Sequence, residues 1–410
     1  MASGHASNPS NRNQRPTVPS PPPWHADLTT VGVTGTNGKT TTTAYVAAAL
    51  SRLSSPVPRI TTVGFFVGDE RLDLKPGYPA FLHTLALGRQ RGARHAAIEL
   101  SSEALALGFF HAWPCRIGVF TNLTQDHLDR HGSPEHYLAS KAQLFLHLPA
   151  GGAAILNGCD PASELLAEVI PRGVRLLHYG ARSRGAPVAP LDVEATDVQV
   201  SWAGTRIALR ASLELGQAPA VLELRSIGDV FAENGLAALT AAIAAGVPAQ
   251  AAVEAISAAP PPPGRFELVR TDPHVVIDYA HTPDALERTL GAARKLTPGN
   301  LTVVFGAGGE RDQDKRPMMG KAARFADRVV ITSDNPRSED PALIAAAIRE
   351  GLGDHPHVET VLDRADAIRH AVRTATRGDT VVIAGKGHES EQHVDGTVRH
   401  FSDREIATEA

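Results

Sequence analysis

The sequence predicts an α/β protein of two domains: a P-loop central domain with a mostly parallel sheet, then a Rossmann-like α/β domain. Three observations carry this. Short apolar runs alternate with Ala-rich helical stretches, the pattern of buried parallel strands covered by helices on both faces. A glycine-containing loop, Gly35-Thr36-Asn37-Gly38, joins the first apolar run to the first helical stretch. Four consecutive prolines, Pro260 to Pro263, interrupt the chain, and a second strand–helix series follows them.

In chain order, residues 1–27 are rich in Ser, Asn, Pro and Gln, too polar to offset the entropy of ordering, and are expected to be a disordered tail. Thr30–Thr34 reads as a buried strand and Thr40–Leu53 as a helix. Ala96–Leu100, Ile117–Phe120 and Ala153–Leu156 read as further strands. Residues 191–227 differ: Val198-Gln199-Val200-Ser201-Trp202 and Val221-Leu222-Glu223-Leu224 alternate, which predicts antiparallel strands at the sheet edge. A helix follows over Asn234–Ala245. Proline continues neither a helix nor a central strand, so the four-proline run marks a boundary between a central domain, 28–263, and a C-terminal domain, 264–410. Strands are expected there at Val275–Tyr279, Leu301–Phe305, Arg328–Ser333 and Thr380–Ala384.

Of the 410 residues, 42% are apolar and 20% charged, with a formal net charge of -4. A nucleic-acid binder usually carries a basic excess, so that class is disfavoured. No apolar run reaches the roughly 18 residues of a membrane span, and the N-terminus lacks an apolar secretion signal. The two cysteines, Cys115 and Cys159, form no CxxC pair and read as reduced thiols of a cytoplasmic protein.

The chemistry concentrates in a few segments. In Gly35-Thr36-Asn37-Gly38-Lys39-Thr40-Thr41, glycines let backbone N–H groups approach phosphate oxygens, and the following helix adds partial positive charge at its N-terminus. Lys39 can reach terminal phosphates, and the Thr40 hydroxyl can ligate magnesium. The strict phosphate-loop pattern wants Gly where Val33 stands, so the loop is a shortened variant. The string Val33-Thr34-Gly35-Thr36-Asn37-Gly38-Lys39-Thr40-Thr41-Thr42 resembles the ATP loop of the Mur ligases, which add amino acids to the peptidoglycan precursor. Folylpolyglutamate synthases and cyanophycin synthetase share it.

Three further segments fit the Mur pattern: Ile98-Glu99-Leu100-Ser101-Ser102, Asn122-Leu123-Thr124-Gln125-Asp126-His127, and Ala139-Ser140-Lys141-Ala142-Gln143. The resemblance implies that Glu99 and His127 hold a second Mg2+. It also implies that Lys141 is carbamylated by CO2 and helps to hold metal, while Ser101 and Ser102 face the acceptor. Taken one at a time, Lys141 reads as a solvated charge and His127 as an ordinary polar group. Their order within full motifs is what favours the functional reading.

In the second half, Asn234 resembles the family asparagine near the nucleotide. Arg265, in Gly264-Arg265-Phe266-Glu267, resembles the arginine that faces the transferred phosphate. Asp278 resembles the residue that contacts ribose or metal-bound water. Gly306-Ala307-Gly308-Gly309 is no dinucleotide fingerprint, because Arg311 stands where a third Gly is required. The fuller string, Gly308-Gly309-Glu310-Arg311-Asp312 and then Lys315-Arg316-Pro317, instead resembles the Mur ligases that add the third peptide residue. Asp334-Asn335-Pro336-Arg337 resembles the form of that motif associated with meso-diaminopimelate rather than lysine, since Arg337 can grip a distal carboxylate in a two-pronged contact. Gly385 and Glu389, in Gly385-Lys386-Gly387-His388-Glu389, would receive the distal ammonium, and Arg316 a carboxylate.

The resemblance runs from about residue 30 to 407 and implies an ADP-forming ligase using ATP and Mg2+, a small-molecule carboxylate acceptor and an amino acid. The expected features of the acceptor side are altered. Only 27 residues precede the first strand, where a full member has an acceptor-binding domain, and Lys75-Pro76-Gly77-Tyr78-Pro79 stands in the region of the usual acceptor segment. A partner protein supplying acceptor recognition is one expectation from this. Two other readings stay open at this point: a non-catalytic ATP-binding relative, and a folylpolyglutamate-synthase-like ligase.

Overall fold

The computed structural model describes residues 19–124, 133–212, 215–216, 218–310 and 312–410. His127 therefore lies outside the described residues, as does most of the expected tail. The chain forms two compact units. One runs to Glu194 and takes in Arg210–Pro219 and Leu236–Ala255; the other comprises Ala195–Leu209, Ala220–Gly235 and Ile256–Ala410.

The strands are β1 (Thr29–Thr34), β2 (Pro58–Thr61), β3 (Gly64–Val67), β4 (Glu70–Leu72), β5 (His95–Glu99), β6 (Ile117–Phe120), β7 (Ala153–Asn157), β8 (Arg175–Ala181), β9 (Val193–Ser201), β10 (Gly204–Ala211) and β11 (Val221–Leu224). They form a sheet in the order β11-β10-β9-β8-β7-β6-β1-β5-β2-β3-β4. β1 lies between β5 and β6, parallel to both, with Val33 opposite Glu99 and Thr34 opposite Phe120. A strand in that position is buried on both faces, and Val31 and Val33 are wholly so. β10 and β11 pair antiparallel, as the alternation of that region predicts.

The second unit holds a six-stranded sheet of β12 (Glu267–Thr271), β13 (His274–Asp278), β14 (Leu301–Phe305), β15 (Arg328–Ile331), β16 (Val358–Thr360) and β17 (Thr380–Ala384), in the order β12-β13-β17-β14-β15-β16. β13, β17, β14, β15 and β16 run parallel. Its core includes Val275, Ile277, Val304, Val330, Val381 and Ile383 from the strands, with Ile368, Val372 and Ile406 from helices. A separate hairpin pairs β18 (Glu391–Val394) with β19 (Thr397–His400).

Helix starts follow local chemistry. Ser133, Thr282 and Asp340 each accept a backbone N–H with the side chain, and each is followed by proline as the first helical residue.

Three differences from the sequence reading have physical causes. The tail does not extend to residue 27. Pro23–Asp27 forms a 3-10 turn, with the Trp24 ring 5.5 Å from Trp113, His25 Nε2 2.8 Å from the Pro114 carbonyl, and Asp27 paired with Arg89 at 2.6 Å. One tryptophan supplies the apolar area that the rest of the segment lacks. The first helix stops at Leu50, where Leu53 is 37% exposed and gains nothing from further turns. β15 ends at Ile331, two residues early, and the chain leaves the sheet to form the loop described below.

Candidate active site

The phosphate loop spans the end of β1 and the helix Lys39–Leu50. Gly35 has φ +148°, and a Cβ there would lie 1.9 Å from the Thr121 hydroxyl, so no other residue fits. Gly38 is left-handed at φ +83° and caps the helix. The first helical amides have no partner one turn earlier and form the anion-binding end. Lys39 Nζ donates to the Thr36 carbonyl at 2.8 Å.

The loop is held from outside. Thr36 N–H donates to the Asn122 carbonyl (2.8 Å) and Asn37 N–H to Asn122 Oδ1 (2.9 Å). The Thr121 hydroxyl donates to the Asn37 carbonyl (2.6 Å), and Thr124 N–H donates to Thr36 Oγ1 (3.0 Å). The Tyr137 hydroxyl reaches the same Thr36 oxygen at 3.3 Å. None of these four supporting side chains was singled out from the sequence. Lys141, on the helix Pro134–Leu146, is 1% exposed; its Nζ donates to the Gly35 carbonyl at 2.8 Å and lies 4.0 Å from the Tyr137 ring centroid. A lysine read alone as a surface charge is thus buried against the loop.

Glu99, at the end of β5, accepts from the Thr40 hydroxyl (2.9 Å) and from Thr62 N–H (3.1 Å). The Thr40 and Glu99 oxygens are hard donors of the kind Mg2+ takes, and Mg2+ commonly completes its shell with water and phosphate. Among the described residues no three His, Cys, Asp or Glu side chains gather as a metal cage. Thr41 is buried in the first helical turn. Ser101 spends its hydroxyl as the cap of the helix Ser102–Ala106, accepting from Ala104 N–H at 3.1 Å; Ser102 is buried.

The second unit assembles its own constellation. The Arg265 guanidinium lies 4.5 Å from the Tyr279 ring centroid. Asp278, at the end of β13, accepts from Phe266 N–H (2.6 Å), Ala280 N–H (2.8 Å) and the Thr289 hydroxyl (3.0 Å). Burial pushes its carboxyl above the usual range, and the neighbouring Arg265 charge pulls it partly back. Gly385 N–H donates to the Asp278 carbonyl at 3.1 Å, and a Cβ on Gly385 would come within 2.5 Å of Asp334 Oδ2. Gly264 and Gly387 are each left-handed and abut: a Cβ on Gly264 would be 2.3 Å from the Gly387 carbonyl carbon, and one on Gly387 2.8 Å from the Gly264 carbonyl oxygen. The hinge segment at 264–266, Asp278 and the 385–389 loop thus meet. Asn234 is buried in the helix Asp229–Ala244.

The 334–337 loop packs against both 385–389 and 308–309. Asn335 Nδ2 donates to Glu389 Oε2 at 3.2 Å. Gly309 N–H donates to the Asn335 carbonyl at 3.0 Å, and a Cβ on Gly309 would lie 1.9 Å from the Pro336 carbonyl oxygen. Gly309 therefore serves this contact. Arg337 has φ +56°, a strained value for a side chain of its size, held by Arg337 N–H to the His393 carbonyl (3.1 Å) and Asp395 N–H to the Arg337 carbonyl (2.8 Å). Its Nη1 donates to the Gly309 carbonyl at 2.5 Å; Nη2 and Nε have no hydrogen bond among the described residues. Arg316 is 4% exposed and donates Nη2 to both oxygens of Glu339 at 3.0 and 2.9 Å, so its carboxylate partner is within the chain. The Glu310 N–H and then Arg316 hold the Glu339 carboxyl below its usual range.

Beneath these loops Arg364 and Asp403, both fully buried, pair at 2.7 Å. Arg364 also donates to the Ser333 carbonyl (3.3 Å) and the Ala384 carbonyl (3.0 Å), the residues just before the two loops. Asp403→Ala should leave a buried cation unpaired and cost about 3–5 kcal/mol, whereas the double change Arg364→Met with Asp403→Leu should recover most of it. Urea unfolding of the two variants checks the contrast.

Residues 33–242 match the family model of the Mur ligase middle domain, and residues 264–387 that of the Mur ligase glutamate ligase domain. The UDP-N-acetylmuramoyl-L-alanyl-D-glutamate–2,6-diaminopimelate ligase of Thermosynechococcus vestitus is 42% identical over 393 residues, covering 93% of this chain and 76% of that one. The chain belongs to the Mur ligase family. It is thereby an ATP-dependent acid–amino-acid ligase. The Streptomyces coelicolor enzyme of the same name is 40% identical, covering 94% of this Mur ligase and 76% of the relative. A solved structure of a diaminopimelate ligase of that name matches at 34% identity with a TM-score of 0.66, over 93% of this chain and 78% of the other. The Mycobacterium tuberculosis folylpolyglutamate synthase matches at a TM-score of 0.65 and 21% identity, covering 88% of this chain and 89% of that one, a likeness of fold alone. Among the described residues no helix is long and apolar enough to cross a membrane. Cys115 and Cys159 form no disulfide, and burial pushes the Cys115 thiol up to about 12, so it is inert at neutral pH.

Proposed function

We propose that this Mur ligase joins 2,6-diaminopimelate to the free carboxylate of UDP-N-acetylmuramoyl-L-alanyl-D-glutamate at the expense of ATP. The observation that carries the reading is the meeting of the Asp334–Arg337 loop with the Gly385–Glu389 loop: it sets a guanidinium with unused donors and a carboxylate on adjoining loops, suited to a substrate ending in a second amino-acid head. We read the first half as a P-loop domain, 28–263, and the second as a Rossmann-like domain, 264–410.

The acceptor carboxylate attacks the γ-phosphate of ATP, an acyl phosphate forms and ADP leaves. The amine then attacks the acyl carbon, and the tetrahedral intermediate expels phosphate. Crowding several negative charges requires cations, and Lys39, the loop N–H groups and Arg265 are the candidates that would oppose them. Thr40 and Glu99 would hold Mg2+, which supplies further neutralisation of phosphate charge. Asn234 and Asp278 would contact the nucleotide, and Ser101 and Ser102 would line the acceptor side. CO2 adds to an amine in its neutral form, and a carbamate on the buried Lys141 belongs to this proposal.

Lysine keeps the distal amine but leaves half-buried Arg337 without a carboxylate, and the loss of a two-pronged charged contact justifies discrimination on the order of a hundredfold. In a competition assay at equal concentrations, diaminopimelate is expected to outrun lysine. Arg337→Ala should narrow the gap mainly by slowing diaminopimelate. A native enzyme that prefers lysine or glutamate would refute the substrate assignment.

A further inference from the structure

The sequence reading passed over Lys386, yet 0% of its side chain is accessible. A lysine is rarely buried so fully without a charge to answer. Its Nζ donates to Asn335 Oδ1 and to Glu389 Oε2, each at 3.2 Å. Asn335 Nδ2 in turn donates to the same Glu389 Oε2 at 3.2 Å. The three side chains close a triangle. Asn335 Oδ1 also takes His393 N–H at 3.0 Å, so two donors face its oxygen and one acceptor faces its nitrogen, which fixes the orientation of the amide. Glu389 is 35% exposed, and its Oε1 has no hydrogen bond among the described residues.

We infer that Lys386 is a specificity-determining positioning residue: its buried ammonium pins Oε2 of Glu389 and the Asn335 amide so that Oε1 is presented to the distal ammonium of the incoming amino acid. The inference rests on the amine pocket proposed above. Without the ammonium, Asn335 loses one of the two donors that set its orientation and Glu389 loses its anchor. The carboxylate can then swing, and a substrate ammonium no longer meets a fixed oxygen. Lys386 does not touch the acyl phosphate, so the chemical step and ATP binding are spared.

The test compares diaminopimelate with 2-aminopimelate, which lacks the distal amino group, in the wild type, Lys386→Met and Lys386→Gln. The ratio of kcat/KM for the two amines is independent of the fraction of enzyme that folds. In Lys386→Met this ratio should fall at least about tenfold, through KM for diaminopimelate, the loss of one charged hydrogen bond. KM for ATP should not move. Lys386→Gln keeps a donor to Asn335 without the charge and should fall between the two; it carries the test should the methionine variant fail to fold. Ratios equal to wild type in the folded variants overturn the inference. A wild type that does not distinguish the two amines overturns the proposed substrate instead. Lys386 is then judged on the amine actually used: a KM raised about tenfold at constant KM for ATP supports it, and an unchanged KM overturns it.

Discussion

Lys39→Ala is expected to lose ATP-dependent ligation by ~10²–10³-fold or more, the scale of removing one preorganised charge from a site of developing negative charge. The fold should survive, because Lys39 is half-buried and its bond to the Thr36 carbonyl lies within the loop itself. The loop keeps its bonds to Asn122, Thr121 and Thr124 in the variant. Steady-state release of ADP and phosphate, paired with a thermal melt, separates loss of chemistry from loss of structure. Turnover at the native rate in a folded variant would remove the loop from the mechanism.

Lys141→Ala should lower turnover by on the order of a hundredfold, as expected for a buried charged group bonded to the phosphate loop. The rescue pattern then distinguishes two roles. If the working side chain is a carbamate, formate or acetate should partly restore activity. If it is the ammonium bonded to the Gly35 carbonyl at 2.8 Å, short amines should restore it instead. Intact-mass measurement of the native enzyme in bicarbonate provides a second reading of the same question.

The phosphate loop was legible in the sequence because its chemistry is local: two glycines, a lysine and a threonine within six residues, between a strand and a helix. What holds it in shape was not, because Thr121, Asn122, Thr124 and Tyr137 act through hydrogen bonds across 84 to 101 residues of chain. The same division applies to the amine pocket. Asp334–Arg337 and Gly385–Glu389 stood out as strings, but the burial of Lys386, which depends on folding, could not be read from its place in a motif. Arg316 was read as a substrate ligand from its motif, and only the fold reveals Glu339 already paired with it. The central strands were readable from their short apolar runs. β2, β3, β4, β8, β12, β16, β18 and β19 were missed: each includes polar or partly exposed positions that break up the run.

The abutment of Gly264 and Gly387 bears on how this enzyme can be redesigned. Each glycine is the wall against which the other rests, so a side chain cannot be introduced at one position and accommodated by trimming at the other, because nothing remains to trim. The obstacle is main chain at Gly264 and main chain with the Tyr279 Cβ at Gly387, and main chain moves only by displacing the strand or loop that carries it. The pair behaves as one inseparable design unit, and a change in the stiffness of the Gly264-Arg265-Phe266 segment has to be sought at its outer neighbours. Glu267, whose carboxylate accepts from Gly264 N–H at 2.8 Å and pairs with Arg404 at 2.9 Å, is the nearest side chain through which that segment can be tuned without touching the junction itself.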